Sequence, residues 1–532
     1  MINGEIKTTY DELIYNSSSF VQCDIDYLHC LAKMHGLDIC LPQNSAVLEI
    51  GCGCGGNILP QALNTPNAKF VGIDLSSKQI EIAKDAAKRM EISNIYFKDI
   101  DMCEFADFIN GGGLSEFLNL KNSDIKFDFI IMHGVYSWIP TFVRAKFLEI
   151  VRDFLAPQGI CFVSYNCYPG WKYLEIQRDF MRFSAAATPR DDKFQAALDS
   201  LTFKKVALDK MAYVCSDLYN EFRINIEKTH CDAILNTPNK SYLYHEYLEI
   251  CNQPFYFLDF VDDIGEFGLG YVCDSFIEPY YEDLNDKTLV EFAMLNYPKH
   301  HQKEQIFDFL NNSRFRNSII THASNKIELN EEKMLENIKD FHMIFTQQDI
   351  NLKERAKGTI DEPLVNALYE VYPASLSVKE LGEIVPKNDL LRAFFDLSNY
   401  AQIFIRLRTT KFEAVHYKEN KARIKQNYIP YIKYFLDTQS EHLGVSSIFN
   451  MPIYFDKNTL ETSLKFDGKN SIDNIVKFIY EKFQKAKILP TIEKDGKIVE
   501  VIKDKQAQIM HFRKLIKDFS KNLTNGHFFE KI

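Results

Sequence analysis

No cysteine follows Cys273 in this 532-residue chain, and its twelve cysteines never form a repeated CxxC pair. A disulfide framework and a zinc ribbon are therefore both disfavoured. Several of these cysteines sit inside apolar runs, where a thiol acts as a small hydrophobe, and Cys52-x-Cys54 reads as turn filler. Tryptophan is scarcer still, with only Trp138 and Trp171. No apolar run approaches the ~20 residues of a membrane helix, so no membrane insertion is expected. The opening MINGEIKTTYDE lacks the basic-then-apolar pattern of a secretory signal, which points to the cytoplasm. Internal repeats and low-complexity segments are missing too. Positive charge is short overall, with a net −11, but residues 401–532 carry 24 Lys+Arg against 15 Asp+Glu. The first 400 residues are thus strongly acidic, which suits a cationic partner such as lysine side chains. That balance makes nucleic acid an unlikely partner, although the basic last quarter could touch an acidic one.

What the chain has is concentrated between Val47 and Leu75. Ala46–Ile50 is a short apolar strand, the glycines Gly51, Gly53, Gly55 and Gly56 make a tight turn, and Asn57–Leu63 starts a helix. Lys69–Ile73 is a second strand ending on Asp74. A helix over 78–89, strands at Ile95–Phe97 and Phe127–Met132, a helix at Phe142–Leu155, a turn at 156–159 and a strand at Gly159–Asn166 follow. Strands alternating with helices predict an α/β fold with a Rossmann-like parallel sheet.

The flanking regions read differently. Residues 1–36 look like an N-terminal cap whose helix stops at Gly36, with Tyr10 and Tyr15 around the acids Asp11 and Glu12. Residues 175–255 break the strand–helix rhythm as a helical insertion, regulatory or dimerising, within a core unit over 37–325. Late strands at Gly270–Asp274 and Phe315–Thr321 would close the sheet edge. Glu331–Phe345 reads as one amphipathic helix. Residues 326–424 then suggest a winged-helix-like middle domain, with strand-like Gln402–Arg406 and Phe412–Ala414. Residues 425–532 suggest an α+β C-terminal domain with a hairpin turning at Asp495-Gly496.

The glycine turn fits G-x-G-x-x-G, and Asp74 lies 23 residues after Gly51, so a dinucleotide site has to be weighed. Three features favour S-adenosylmethionine (SAM) instead. Glu49, at the end of strand one, would repel a pyrophosphate but hold an amine. Asp99 with Ile100, at the end of strand three, could hold an adenine, leaving the ribose hydroxyls to Asp74. Strand four ends in IMHGVYSW, not in a nicotinamide-type pocket.

With these motifs in view, VLEIGCGCGGN, FVGIDLS, FKDIDM and FDFIIMHGVYSWIP resemble the successive motifs of class I SAM-dependent methyltransferases. YDELIY, HGVYSW, YNCYPGW, YLYHEYLE…PFYFLDF and FRNSIITH narrow the resemblance to members carrying a methyltransferase regulatory domain, a group that includes rickettsial outer-membrane-protein lysine methyltransferases. The resemblance covers about residues 1–325. Cys54 stands where the family usually has an acid, and Asn16–Ser17, Cys167 and Lys172 also depart from its commonest residues. The resemblance implies SAM as cofactor and extends its site to Tyr15, Cys52, Gly53, Asn57, Leu75, Gln79, His133 and Gly134. It also implies a protein substrate presenting lysines, and a homodimer is compatible with the insertion.

On the acceptor side, Tyr136 and Trp138 follow strand four, and Tyr165, Asn166, Tyr168 and Trp171 follow strand five. A lysine amine, with a pKa near ~10.4 in water, must lose its proton before it is methylated. An aromatic, partly apolar pocket favours that loss and attracts the cation beforehand. Two other readings stay open: a small-molecule or RNA methyltransferase, and a SAM-binding scaffold without turnover. His245-Glu246 lacks the second histidine of a metal motif, so no metal is expected.

Overall fold

A computed structural model describes residues 14–214, 218–275, 287–347, 350–400, 405–494 and 497–532. The expected opening segment around Tyr10, Asp11 and Glu12 lies outside them. Seven strands form the main sheet: β1 (Ala46–Ile50), β2 (Lys69–Asp74), β3 (Ile95–Asp99), β4 (Phe127–Met132), β5 (Leu155–Asn166), β6 (Leu269–Asp274) and β7 (Phe315–His322). Their order is β3-β2-β1-β4-β5-β7-β6. The first five run parallel, while β7 is antiparallel to both β5 and β6. Helices cover both faces, which is why β1 and β4 are almost uninterrupted apolar runs. The strand order reverses between β1 and β4, and in such a sheet ligands bind outside the carboxyl ends at that crevice. The turn expected at 156–159 is instead part of β5. The register jumps from Phe127↔Leu155 to Phe129↔Ile160, so the extra residues are absorbed as a bulge.

Side-chain caps start some of the helices. In α1 (Ile25–Met34) the Asp24 carboxylate accepts from the Asp26 N–H, and Gly36, at φ +86°, ends the turn that follows. The helix α2 (Ile58–Asn64) leaves the glycine turn, and α3 (Ser77–Arg89) is capped by Ser76. After α4 (Thr141–Phe154) and β5 come four helices: α5 (Trp171–Ala187), α6 (Lys193–Val214), α7 (Leu218–Leu235) and α8 (Lys240–Leu248). They pack on one another through Met181, Ala197, Leu201, Cys231 and Leu243. Phe183, Phe203 and Phe222 stay exposed on them.

Strand β7 enters the sheet on an ion cluster. Arg316 donates through Nε to Asp308 at 3.0 Å, through Nη1 to Asp274 at 2.6 Å and through Nη2 to Glu304 at 3.0 Å. Its guanidinium lies 4.2 Å from the Phe257 ring centroid. All three carboxylates are largely buried.

Past residue 325 the expected long helix is split in two. Its first part is α9 (Glu331–Asn337), and His342–Phe345 is strand β8. The apolar Met343, Ile344 and Phe345 are wholly buried, and β8 pairs between β9 (Leu376–Ser377) and β10 (Ile405–Arg408). Tertiary pairing thus overrides a helical pattern. Helices α10 (Glu362–Val371), α11 (Val378–Leu381) and α12 (Lys387–Tyr400) surround this small sheet. Phe412–Ala414 forms no strand; the Phe412 backbone bonds to Ser375 instead. The C-terminal hairpin pairs Thr491–Lys494 with Lys497–Val501, and Asp495 and Gly496 lie outside the described residues.

One hydrophobic core links a face of the main sheet to the C-terminal half, while the other sheet face and the four-helix insertion have clusters of their own. It joins Leu28 and Phe70 to Phe345, Leu391 and Leu407, and onward to Tyr428 and Phe449. Arg408 fastens the far part to the near one, pairing with Asp24 and, at 2.7 Å, with Asp26.

Candidate active site

The glycine turn is shaped by its backbone. Gly51 has φ +76°, and its N–H and that of Cys52 both donate to the Ile73 carbonyl, at 2.8 and 3.1 Å. A Cβ on Gly51 would stand 2.5 Å from Val135 Cγ2, so only glycine allows β4's exit loop to close on the turn. Asp74 takes the Gly53 N–H on Oδ2 at 2.9 Å and the Ser76 N–H on Oδ1 at 2.8 Å. Glu49 accepts from Asn57 Nδ2 at 2.7 Å on Oε1. Its other oxygen is buried without a hydrogen-bond partner among the described residues. Burial pushes this carboxyl up to about 8, against the pull of the Asn57 hydrogen bond.

A strap from the N-terminal segment lies over the turn. The Gly56 N–H donates to Ser17 Oγ at 2.8 Å, and the Ser17 N–H donates to the His442 carbonyl at 2.9 Å. The Phe20 N–H meets Asn57 Oδ1 at 3.2 Å, and Asn450 Nδ2 meets the same oxygen at 2.7 Å and the Phe20 carbonyl at 2.9 Å. The Phe20 ring stacks on His133 with centroids 3.8 Å apart. His133 is bonded to Gln22 at 3.0 Å, and burial lowers its pKa to about 3. A neutral imidazole held in this way fills the pocket wall and carries no charge at neutral pH.

Strap, turn and strand ends enclose a cavity of about 540 Å³. Beyond β4 and β5 its wall holds Trp138 and Trp171, with ring centroids 6.1 Å apart and nearly perpendicular. Asn166 is anchored there, its N–H on Ser137 Oγ at 2.9 Å and its amide on Asn252 at 3.0 Å. Helix α8 closes that side with Tyr242, Glu246 and Tyr247, and Tyr15, Arg314 and Phe315 complete it.

Tyr15, Glu49, Gly51, Cys52, Gly53 and Asn57 line this cavity, as do Asp74, Leu75, Gln79, Ile100, His133 and Gly134. Asp99 does not; its carboxylate lies 3.8 Å from Lys84 Nζ, and Asp101 lines the cavity in its place. Of the six residues expected at the acceptor, Trp138, Asn166 and Trp171 line the cavity. Tyr136 is wholly buried in the core beside Phe147 and Phe260. Tyr165 is buried as well, its hydroxyl 3.2 Å from Ser318 Oγ. Tyr168 bonds to Glu175 at 2.6 Å and packs on Tyr256, outside the cavity. The residues that sequence reasoning missed are those of α8, the serines of the strap, and Arg314. In the YLYHEYLE stretch, Tyr242 and Glu246 are spaced i, i+4, which puts both on one helix face.

Family profiles decide what this site belongs to. One described as "Methyltransferase domain" matches residues 41–190, and one described as "Predicted methyltransferase regulatory domain" matches residues 239–322. An uncharacterised protein of Rickettsia prowazekii (strain Madrid E) is 33% identical over 263 residues, which span 96% of its length. The chain belongs to the class I SAM-dependent methyltransferases with a regulatory domain. A second uncharacterised R. prowazekii protein is 32% identical over 340 residues, and this methyltransferase spans 56% of that relative's length. The chain is similar in fold to PKMT2 from Rickettsia typhi in complex with AdoHcy: TM-score 0.73, 24% identity, 97% of this chain and 99% of that one covered.

The residues present fit SAM. The unpartnered Glu49 oxygen suits a cationic amine, and Asp74, at the end of β2, suits ribose hydroxyls. Among the described residues no lysine or arginine lines the β1–β3 side of the cavity, where a diphosphate would need one. Exchanging Asp74 for asparagine should therefore weaken AdoHcy binding by about 10- to 100-fold, the loss of charge-assisted hydrogen bonds worth roughly 1.5–3 kcal/mol. Isothermal titration reads this directly, and an unchanged Kd would reject the ribose assignment.

Proposed function

We propose that this methyltransferase modifies the side-chain amines of lysines in a protein substrate. The observation that carries the reading is the composition of the far wall. Trp138, Trp171, Tyr15, Tyr242 and Tyr247 line the cavity together with one acid, Glu246, and with Arg314, which acts on that acid. Aromatic faces attract an alkylammonium, by about 1–2 kcal/mol once water is excluded, and a carboxylate among them favours a cation over a neutral or anionic acceptor.

When bound, SAM supplies a methyl group on a sulfonium. The chain's own residues do the rest. The strap and α8 exclude water, the glycine turn and Asp74 fix the cofactor, and the tryptophans hold the acceptor chain extended. Asn166, anchored at backbone and amide, offers a fixed polar group at the end of β5.

The test is incubation with SAM and a panel of lysine-bearing polypeptides from bacterial surface proteins, read by mass spectrometry. Lysines gaining mass in methyl steps support the proposal. Label confined to RNA or to small molecules rejects it. Changing Trp138 to alanine should lower kcat/KM about 5- to 30-fold while AdoHcy affinity stays within about twofold, on the cation–π magnitude above. Equal losses in both would place Trp138 on the cofactor side.

A further inference from the structure

Helix α8 carries four groups near the cavity whose work the cofactor does not explain: Tyr242, His245, Glu246 and Tyr247. His245 is satisfied internally, with its Nδ1 2.7 Å from Glu249 Oε1. Glu249 in turn offers its backbone carbonyl to Arg178 and Arg182. Glu246, one turn on from Tyr242, is directed elsewhere. It lies beside the Tyr242 side chain, whose hydroxyl helps to hold the carboxyl charged, and lines the cavity shared with Trp138 and Trp171. Arg178 fixes which side of the cavity this is. Its guanidinium stands 5.5 Å from the Trp138 ring centroid and donates to the Glu246 carbonyl at 2.9 Å. Glu246 is therefore on the tryptophan side, while Glu49 and Asp74 hold the β1–β2 side.

We propose that Glu246 is the catalytic residue that pairs with the incoming lysine ammonium and accepts its proton. This rests on the reading that the acceptor is a lysine amine. In the step, one N–H bond of the ammonium breaks and an O–H bond forms on the Glu246 carboxylate. The electron pair of the broken bond stays on nitrogen as the lone pair that methylation consumes. The methylated product carries the positive charge again, and the carboxyl releases its proton to water as the product leaves. Charge and protons balance over the cycle, with one proton delivered to solvent for each methyl transferred.

The surroundings suit this exchange. Burial raises the Glu246 carboxyl to about 7, opposed by Arg178, by the Tyr242 hydroxyl and by Arg314. A base poised near the working pH takes and returns a proton with least penalty. The titratable and charged groups around it are Tyr242 and Tyr247 on α8, Tyr15 from the strap, Arg178 from α5, and Arg314 just ahead of β7. Burial and the Glu246 charge both raise the Tyr15, Tyr242 and Tyr247 hydroxyls above their ordinary range. They stay protonated at neutral pH and cannot serve as the base.

The experiment uses the full chain and the lysine polypeptide methylated in the screen above. Glu246→Gln should lower kcat/KM by about 100-fold or more, the scale of a lost general base, with AdoHcy Kd within about twofold. The wild-type rate should rise with pH through about 7 and level off above it; in Glu246→Gln this limb should vanish. Tyr242→Phe supplies a second readout that does not depend on how the glutamine variant folds. Losing the hydroxyl that holds the carboxylate charged moves the limb to higher pH, whereas a merely structural tyrosine would change amplitude alone. A Glu246→Gln enzyme keeping more than half of wild-type kcat/KM, or a limb unmoved in Tyr242→Phe, overturns the assignment while lysine methylation stands. Wild-type enzyme that methylates no lysine overturns the acceptor reading, and this assignment with it.

Discussion

An Arg316→Met chain should be less stable than wild type by roughly 3–5 kcal/mol at pH 8, the loss expected when one partner of a buried ion cluster is removed. Three carboxylates, those of Asp274, Glu304 and Asp308, converge on this one guanidinium, and methionine leaves them facing one another. The loss should shrink as pH falls. Burial already raises Asp274 to about 7 with Arg316 in place, the arginine pulling it down and Glu304 pushing it up. Its folded-state pKa is above the unfolded value near ~3.9. The native state therefore binds a proton that the unfolded chain does not between about pH 4 and 7, and stability rises as pH falls through that window. Without the arginine the carboxyls rise further, so the variant recovers most at pH 5. Urea melts at pH 5 and pH 8 measure both quantities. A loss under about 1 kcal/mol at pH 8 would mean the cluster contributes little. The position matters for the site, because Arg314 and Phe315 enter the cavity immediately ahead of it.

The second large effect is expected at Gly56. A Cβ there would lie 2.3 Å from the Ser17 carbonyl oxygen and 2.5 Å from its carbon. These are backbone atoms, and Ser17 is held from the other side by the His442 carbonyl, so no side-chain rotation relieves the clash. Gly56→Ala must push the strap off the turn. AdoHcy affinity should fall about 10- to 100-fold, matching an overpacking cost of order 1–3 kcal/mol. Proteolysis near residues 15–20 should become faster, because the strap is freed. Cofactor affinity within twofold of wild type would show that the strap contributes nothing to binding. A control at Gly265 is informative, since its Cβ would meet nothing within 4 Å; alanine there should leave AdoHcy affinity untouched.

The cofactor half of the site was legible because its chemistry is local. Glycines, an acid at each strand end and apolar runs between them follow from five strands read in order, and Glu49 and Asp74 lie where β1 and β2 stop. Asp99 misled because its carboxylate lies toward Lys84, while Asp101, two residues on, lines the cavity and caps the turn at Cys103. Tyr136, in the one-turn helix after β4, packs into the core, and Tyr165 misled for a different reason. Successive residues of a strand face opposite sides, so if Asn166 reaches the cavity, Tyr165 belongs to the layer behind it. That alternation could have been applied to VSYN from the outset. The α8 wall was harder to see. Tyr242 and Glu246 are some 70 residues from Trp171, and only tertiary packing brings them opposite it. The strap's partners are more remote still, since Ser17 meets His442 and Phe20 meets Asn450.

The Asn450 side chain gives the distant C-terminal half a direct hold on the cofactor end. It bonds to Asn57, which bonds to Glu49, so two amides separate residue 450 from the carboxyl that we propose holds the cofactor's amine. Thermodynamic linkage runs in both directions along such a chain. Whatever seating of the 446–451 loop does for cofactor affinity, cofactor must do by the same factor for the seating of that loop. A segment with no catalytic residue of its own would then behave as an effector covalently tethered to the enzyme, and cofactor supply would be felt in a buried loop some 400 residues away in sequence.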